Sequence, residues 1–239
     1  MNFVWMAVFS LVAMQVSVFL TTIYLHRSLA HQGLKLNRIV ANLMHLHLAL
    51  FTGIVPREWV AVHRKHHHYS DQEGDPHSPR LFGLWKVLFG NMFYYHREAT
   101  NPATLVKYTP DYEQDLIDRT PFSSNGLFGG WVIFAVLFGW QWGTVAFLAQ
   151  GLTYLLLNSM INSVCHIVGY RNFGNTATNL RWVAMLTGGE GYHNNHHQYP
   201  ASAKFALGRL EFDPAWPVIR LLAWIRLAEV RRLPSLAAN

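Results

Sequence analysis

Charged side chains are missing from two long blocks of this chain, and those blocks restrict its fold more than any other feature. Residues 1–25 contain no Asp, Glu, Lys or Arg, and neither do residues 120–170. Apolar stretches of this length are typical of helices that cross a bilayer, which need about 20 residues each. All 19 Lys and Arg residues lie in two other blocks, 27–119 and 171–232. If the uncharged blocks cross a membrane, the positive-inside rule puts both basic blocks on the cytoplasmic side.

The uncharged blocks predict three membrane spans, near residues 3–25, 126–142 and 144–165. A tight connection near Gly139–Gly143 would join the second and third spans, with two tryptophans at the far interface. The predicted cytoplasmic parts are residues 26–125 and 166–239, and we expect a single domain over 1–239. The predicted fold class is therefore all-α, an integral membrane helical bundle with a cytoplasmic helical cap.

Two further segments predict helices that lie at the membrane surface. Residues 39–55 are mostly apolar but contain His45 and His47, and histidines are costly inside a membrane. We therefore expect a helix lying on or dipping into the cytoplasmic surface, with Asn37 as its N-cap and both histidines in packing or supporting roles. Residues 214–232 mix apolar side chains with four arginines, which predicts a second interfacial helix.

Composition excludes several other classes of protein. The formal net charge is +6, but no basic stripe stands on a soluble module, so nucleic acid is not an expected partner. The lone Cys165 excludes an intramolecular disulfide and a cysteine-rich or iron–sulfur site, and we expect it to be buried. The acidic run Asp111–Asp118 is expected to be a solvated face. The N-terminal apolar run has neither a basic n-region nor a small-residue cleavage site, so we expect it to be retained.

Clusters of histidine supply the candidate chemistry. Within the run at 63–68, the residues His63, His66 and His67 stand at i, i+3 and i+4, so one helix face carries three imidazoles. The same spacing returns at His193, His196 and His197. Imidazole is the commonest metal ligand among side chains, which predicts a metal site on each face. His68 falls about 100° off the first face and is not an expected ligand.

Four groups of side chains meet on the cytoplasmic side in the predicted topology. They are His26 with His31; His63, His66 and His67; His166 with Asn162; and His193, His196 and His197. Asn162 and His166 are four residues apart on one predicted helix face. Nine imidazoles are too many for one tetrahedral or octahedral ion, so two metal ions are expected. A pair of metal ions at the end of a membrane helix bundle would face an apolar interior, which suggests that they oxidise a lipid-like molecule. Oxidation of an unactivated C–H bond needs O2 and a redox metal, which favours iron over zinc.

The order and surroundings of these histidines form a specific pattern. The three boxes are His26-Arg-Ser-Leu-Ala-His31, His63-Arg-Lys-His66-His67 and His193-Asn-Asn-His196-His197. Their neighbours are Glu58-Trp59, Asp75-Pro76-His77, Asn162-Ser-Val-Cys-His166 and Gly189-Glu190-Gly191. The pattern resembles the membrane fatty acid desaturases from about Thr22 to Pro200, above all bacterial members of the stearoyl-CoA or delta-9 type.

The resemblance implies a non-haem di-iron centre held by the nine histidines, with Asn162 reaching the metal through water. It implies that Asp75 and Glu190 orient histidine rings, with a turn or helix-cap role as the alternative. The implied reaction inserts a cis double bond into a saturated long-chain acyl group, using O2 and an external electron donor of the ferredoxin, rubredoxin or cytochrome b5 type. The expected location is a bacterial cytoplasmic membrane, with the active site on the cytoplasmic side.

The residues leave some alternatives open. The same oxidant would also serve a di-iron hydroxylase of an aliphatic chain. A membrane metal-handling protein is a further alternative, although it predicts ionisable residues inside the spans. The acyl carrier is open as well, because Arg57 is the only cation in the stretch 53–62 before the second box. Acyl-CoA, acyl-lipid and acyl-carrier protein are all candidates. The single span before the first box also departs from the animal acyl-CoA enzymes, which have two membrane hairpins.

Overall fold

The computed structural model describes residues 2–235, and most of its regular structure is helical. The helices are α1 Phe3–Leu20, α2 Arg38–Phe51, α3 Pro56–Tyr69, α4 Pro79–Phe82, α5 Leu84–Ala99, α6 Pro102–Tyr108, α7 Phe122–Phe138, α8 Trp140–Asn162, α9 Arg181–Leu186, α10 His193–Gln198 and α11 Ala215–Trp224. Two short strands, β1 Leu34–Leu36 and β2 Ala228–Val230, pair antiparallel. The all-α prediction is confirmed, with this ribbon as an addition. Met1 and residues 236–239 of the predicted domain lie outside the described residues.

Two helices in the described part of the chain are long and apolar enough to cross a membrane. The first is α1 continued by a π-helical segment, Thr21–Ala30, which together run for 28 residues. The second runs for 27 residues from Trp140 to His166. Helix α7 is apolar but has 17 residues, and it covers Phe122–Phe138 rather than the predicted 126–142. Helices α2 and α3 would add one more span only if they crossed as a bent pair.

Helices α7 and α8 are joined by one residue, Gly139. Its φ of 78° lies in the left-handed region, which glycine adopts without the steric cost that other residues have. The Trp131 indole N–H donates to the Thr144 hydroxyl at 2.8 Å and ties the two helices together near the connection. The tight connection predicted near Gly139 is therefore confirmed.

Helices α2 and α3 meet at an angle of 87°, and this bend sets the direction of the second histidine box. The side chain of Asn37 accepts a hydrogen bond from the Ile39 N–H, so the predicted N-cap of α2 is confirmed. After α2 ends, Gly53 has a φ of 67° and Pro56 is the first residue of α3. Helix α2 packs against α1 and α7, whereas α3 packs against the π-helical segment.

The largest apolar cluster lies beneath the first histidine pair. Its fully buried members include Ile23, Leu25, Leu34, Leu48 and Ile219. They come from the π-helical segment, β1, α2 and α11, so elements far apart in sequence meet there. Burying large aliphatic side chains stabilises a fold by about 1.5–3 kcal/mol each. This cluster therefore fixes the segment on which the first histidines stand.

Two predicted helices end earlier than expected. Asn162 and His166 do not share one α-helix, because α8 ends at Asn162 and a 3-10 turn, Val164–His166, follows. Helix α11 ends at Trp224 instead of continuing to residue 232. Arg226 then takes a φ of 60°, which no right-handed helix allows, and the chain turns into β2.

The acidic run is not simply a solvated face. The Asp115 carboxylate accepts hydrogen bonds from His45 Nδ1 at 2.8 Å and from the Tyr24 hydroxyl at 3.0 Å. His45 is fully buried, and a buried imidazole N–H needs such a partner. The prediction is therefore wrong for Asp115. Asp111 and Asp118 also have partners, because they accept hydrogen bonds from Arg64 and from the Tyr112 hydroxyl, so the prediction holds only for the exposed Glu113.

Close packing of α7 on α2 depends on Gly130. A Cβ at this position would overlap the backbone carbonyl oxygen of Leu50. We expect Gly130→Ala to force the helices apart and to destabilise the protein by about 1–3 kcal/mol. The measurement is thermal unfolding of the purified protein in detergent. Gly151→Ala on α8 is the matched control, because a Cβ there meets no heavy atom within 4 Å. Equal unfolding temperatures for the two variants would contradict this packing.

Candidate metal centre

The first histidine pair lies on the π-helical segment Thr21–Ala30. The N–H of His31 bonds the carbonyl oxygen of His26 at 3.1 Å, five residues back along the chain. Residues five apart on an α-helix point about 140° away from each other, at 100° per residue. The π-helical turn instead brings the two imidazoles together, with ring centroids 5.0 Å apart. Local helix geometry thus converts the spacing of the first box into a pair of potential ligands.

The second histidine box lies on α3, and the cations between its histidines anchor it. Arg64 donates to the backbone carbonyl oxygens of Leu29 at 3.0 Å and Ala30 at 2.9 Å, at the end of the π-helical segment. Lys65 pairs with Glu98 on α5 at 2.6 Å. Because these two cations point away from the imidazoles, they hold α3 against its neighbours. Arg64 links the second box directly to the first.

The third histidine box lies on the short helix α10 and is held by two buried asparagines. The side-chain oxygen of Asn194 accepts hydrogen bonds from the N–H groups of Asn172 at 2.8 Å and Phe173 at 2.9 Å. The amide nitrogen of Asn195 donates to the Phe205 carbonyl oxygen at 3.0 Å. A helix of 6 residues has little stability alone, so these bonds fix its position. Sequence reasoning assigned no role to either asparagine.

The nine predicted histidines converge and divide into two groups. Within each group the potential ligand atoms lie within 4.8 Å of one another. The first group is His26, His31, His63, His67 and His196, and the second is His66, His166, His193 and His197. The second and third boxes each contribute to both groups. Imidazole nitrogens bind zinc at about 2.0–2.1 Å, which places opposite ligands of one ion about 4 Å apart. The observed spacing fits one ion in each group.

Ring nitrogens face each other inside both groups. The Nε2 atoms of His26 and His196 are 2.9 Å apart, and those of His166 and His193 are 3.0 Å apart. In His26 and His166 the Nδ1 bonds a carboxylate, so Nδ1 carries the proton and the Nε2 lone pair points inward. The Nε2 of His66 is buried and has no hydrogen-bond partner among residues 2–235. Inward ring nitrogens that carry a lone pair are potential metal ligands, so this arrangement fits a cation in each group.

Three carboxylates orient imidazoles from outside the two groups. Glu190 accepts from His26 at 2.6 Å, Asp75 from His66 at 3.0 Å and Asp71 from His166 at 2.9 Å, in each case from Nδ1. Such pairs fix the orientation of a metal-binding ring and raise its basicity. Glu190 and Asp75 stand where the resemblance puts orienting groups. Asp71 was missed, because it lies in the run 70–76, whose Asp, Gly and Pro content indicates only a turn.

Burial and charge set the protonation of these groups. Burial alone would raise the pKa of Asp75, but the adjacent His66 lowers this pKa to about 2, so the carboxylate stays ionised. Asp75 also accepts backbone N–H bonds from Asp71 and His77, so it has the alternative turn role as well. Burial, reinforced by neighbouring imidazoles, holds the pKa of His193 well below its ordinary value. Neutral imidazole is the form that binds metal, so this ring is ready to do so at neutral pH.

The other residues singled out in the sequence lie around these groups. Asn162 is the last residue of α8 and lines the cavity described below. His68 is exposed and belongs to neither group. The Nε2 of His47 lies 3.0 Å from the Ser17 hydroxyl, so this ring links α2 to α1. Cys165 is a buried free thiol, as predicted.

A mostly apolar cavity of about 590 Å³ lies against the histidine groups. Pockets that bind small molecules typically have about 300–1,000 Å³. Side chains of α3, α5, α7 and α8 form most of the wall. His26 and His63 of the first group and His193 of the second also line it. An aliphatic chain in this cavity would therefore lie beside both groups.

The structure thus combines a helical architecture, two histidine groups that could hold metal ions and a mostly apolar cavity beside them. The sequence matches the fatty acid desaturase family over residues 3–223. An acyl-CoA C20 Δ5-desaturase of Anemone leveillei is 33% identical over 91% of this chain and 70% of its own. An sn-1 stearoyl-lipid 9-desaturase of Synechocystis sp. is 32% identical over 89% of this chain and 67% of its own. A delta-9 acyl-lipid desaturase of Arabidopsis thaliana is 29% identical, with coverages of 98% and 78%. The chain belongs to the fatty acid desaturase family, as its histidine boxes predict.

Removing the carboxylate of Asp71 tests the contact that the sequence did not reveal. The side chain of Asp71 is 1% exposed and holds His166 through Nδ1. We expect Asp71→Ala to lower metal affinity about 10–100-fold, the usual effect of losing such a partner. Glu73→Ala is the control, because Glu73 is an exposed carboxylate in the same turn. Metal content per protein after dialysis, measured by mass spectrometry, checks the prediction, and equal metal content in both variants would contradict it.

Proposed function

We propose that this protein is an O2-dependent fatty acyl desaturase that inserts a cis double bond into a saturated long-chain acyl group. The observation that carries the proposal is the apolar cavity whose wall contains histidines of both groups. An aliphatic chain offers no polar group for acid–base or nucleophilic attack, so oxidation is the chemistry that suits this site. Membership of the desaturase family supports the same reaction.

The proposed cofactor is a pair of non-haem iron ions. The ligands would be His26, His31, His63, His67 and His196 for one ion and His66, His166, His193 and His197 for the other. Asn162 would bind through a water molecule, and Asp75, Glu190 and Asp71 would orient the rings to which they are hydrogen-bonded. Iron is proposed rather than zinc because zinc cannot change its oxidation state. Bound iron would supply activation of O2 and removal of hydrogen from the chain.

The reaction balances with two external electrons. The acyl chain loses one hydrogen atom from each of two neighbouring methylenes, and the carbon–carbon single bond becomes a double bond. These two hydrogen atoms, together with two electrons and two protons delivered from outside, reduce O2 to two water molecules. The protein would position the acyl group for this reaction. Trp59 and Val62 form part of the cavity wall next to the first histidine group, and the Trp59 and His63 rings stack with centroids 4.7 Å apart.

The proposed electron donor is a separate protein of the ferredoxin, rubredoxin or cytochrome b5 type. Exposed cations such as Arg80, Lys86 and Arg97 lie on α4 and α5, in the block predicted to be cytoplasmic. A net charge of +6 favours encounter with an acidic partner.

The proposed topology places the site at the cytoplasmic surface of a bacterial membrane. Helices α1, α7 and α8 would form the three spans, with residues 26–121 and 166–235 on the cytoplasmic side. Because α7 begins at Phe122, the first cytoplasmic part is four residues shorter than predicted. Helix α2 would dip into the membrane from the cytoplasmic side, because its C-terminal Phe51 packs with Phe134 of α7 and Phe147 of α8, and the chain turns back at the bend before α3. The distribution of Lys and Arg supports this orientation, because α1, α7 and α8 contain neither.

Neighbouring histidines in the second box provide a matched pair of variants. We expect His67→Ala to abolish desaturation and to lower bound iron, because His67 belongs to the first group. His68→Ala should keep both, because His68 is exposed and belongs to neither group. The assay is expression in a host that lacks unsaturated fatty acids, with new double bonds located by mass spectrometry. Full activity of His67→Ala would contradict the ligand assignment, and hydroxy acids without alkenes would indicate a hydroxylase instead.

Metal exchange tests the identity of the cofactor. We expect chelation to remove activity from membranes that contain the protein, and ferrous iron added without O2 to restore it. Zinc should occupy the same histidines without restoring activity, because it supplies no electrons. Recovery of desaturation with zinc would exclude a redox role for the metal.

A further inference from the structure

One side of the cavity is framed by exposed apolar side chains. Met92 and Phe93 of α5, Leu127 of α7 and Leu155 of α8 all line the cavity. They are nevertheless 52%, 72%, 46% and 38% exposed, respectively. A residue that faces both the cavity and the exterior marks an opening. The cavity therefore has a mouth between α5 and the α7–α8 pair, and this mouth has a rim of large apolar side chains.

The outer face of α5 continues the same apolar surface. Trp85, Phe89 and Phe93 follow each other at intervals of four residues and are 68%, 71% and 72% exposed, so they form one stripe along the helix. Helix α5 packs against α8, which is long and apolar enough to cross a membrane. Its exposed stripe therefore lies beside a membrane-spanning surface. Exposed aromatic and aliphatic side chains in such a position are typical of helices that sit in the interfacial layer of a bilayer.

Carboxylates and imidazoles, rather than amines or guanidinium groups, line the cavity. The carboxylates Glu58 and Glu190 line it, and the described lining residues include no Lys or Arg. Glu190 is paired with His26, but burial raises the pKa of Glu58, which has no such partner among the described ion pairs. Cations that could meet a phosphate group lie outside the cavity, as Arg97 does, one helical turn beyond Phe93 on α5. An acyl ester whose head group stays outside needs no cation within the cavity.

The substrate inferred from these features depends on the proposed function being correct. We infer that the substrate is a saturated acyl chain of a membrane glycerolipid, which enters the cavity sideways from the bilayer. The acyl chain of the lipid passes through the mouth, between Met92 and Phe93 on one side and Leu127 and Leu155 on the other. The ester and head group stay at the mouth, in the interfacial layer. The enzyme thus acts on acyl groups while they are esterified in membrane glycerolipids.

Two isotopes given at different times separate this substrate from water-borne acyl thioesters. A host without its own desaturase is grown on carbon-13-labelled stearate, so that the label enters its glycerolipids, and is then washed. The protein is induced while deuterated stearate is supplied. Intact lipids are analysed by mass spectrometry at short intervals. Each isotope reports on one pool of acyl chains in the same cells.

The three outcomes are distinct. We expect both isotopes to appear in unsaturated chains, with the carbon-13 chains converted within lipids that were made before induction. Conversion of the deuterated chains alone would overturn the inference and leave the desaturase function intact, with a CoA or carrier-protein substrate. Conversion of neither isotope would overturn the proposed function itself.

Blocking the mouth tests the route of entry. We expect Leu127→Trp to lower desaturation about 10-fold or more, because a bulky ring displaces the chain from its productive position, while bound iron stays unchanged. Leu137→Trp is the matched control, since Leu137 lies on the same helix, is 51% exposed and does not line the cavity. Equal activity of the two variants at equal iron content would overturn the lateral route.

A second pair on α8 repeats the test on another side of the rim. Leu155→Trp should lower activity, whereas Leu152→Trp should not, because Leu152 is 67% exposed and lies outside the cavity wall. If Leu127→Trp misfolds and loses its iron, the α8 pair still tests whether the acyl chain enters through the mouth. Full activity of Leu155→Trp with normal iron content would show that the chain enters elsewhere.

Discussion

Convergence of nine imidazoles in a buried space is the constraint on which the rest of this structure depends. Their Nε2 atoms approach to 2.8–3.1 Å within the groups, as between His31 and His63 and between His193 and His197. Carboxylates hold the proton on the outer nitrogen of three of these rings, so the inner nitrogens of those rings present lone pairs. A cation in each group would bind such lone pairs. We therefore expect folding of the histidine-bearing segments and binding of metal to be coupled.

The surrounding elements position the three histidine boxes and place the cavity beside them. The π-helical turn aligns His26 with His31, and Arg64 joins that turn to the helix of the second box. Asn194 and Asn195 hold the third box, whose helix is too short to be stable alone. The cavity lies between the histidine groups and the helices α5, α7 and α8, so a bound aliphatic chain would lie next to the proposed metal ions.

The sequence reveals much of this arrangement, and the reasons for its failures are physical. Helical spacing predicts that His63, His66 and His67 share a face, and uncharged stretches predict the long apolar helices. The π-helical turn is not predicted, because hydrophobic periodicity averages over a segment and cannot register one extra residue per turn. Asp71 and Asp115 are missed because a carboxylate in a polar loop looks solvated until tertiary contacts bring His166 or His45 to it. Contacts between loops and distant helices are not encoded in any local pattern.

Anomalous diffraction at the iron absorption edge, from crystals of the purified protein, would show whether each histidine group binds one iron ion. The arrangement of the histidines in two groups predicts two peaks in each molecule, one among the five histidines of the first group and one among the four of the second. A single peak shared by all nine histidines, or iron bound outside both groups, would contradict it.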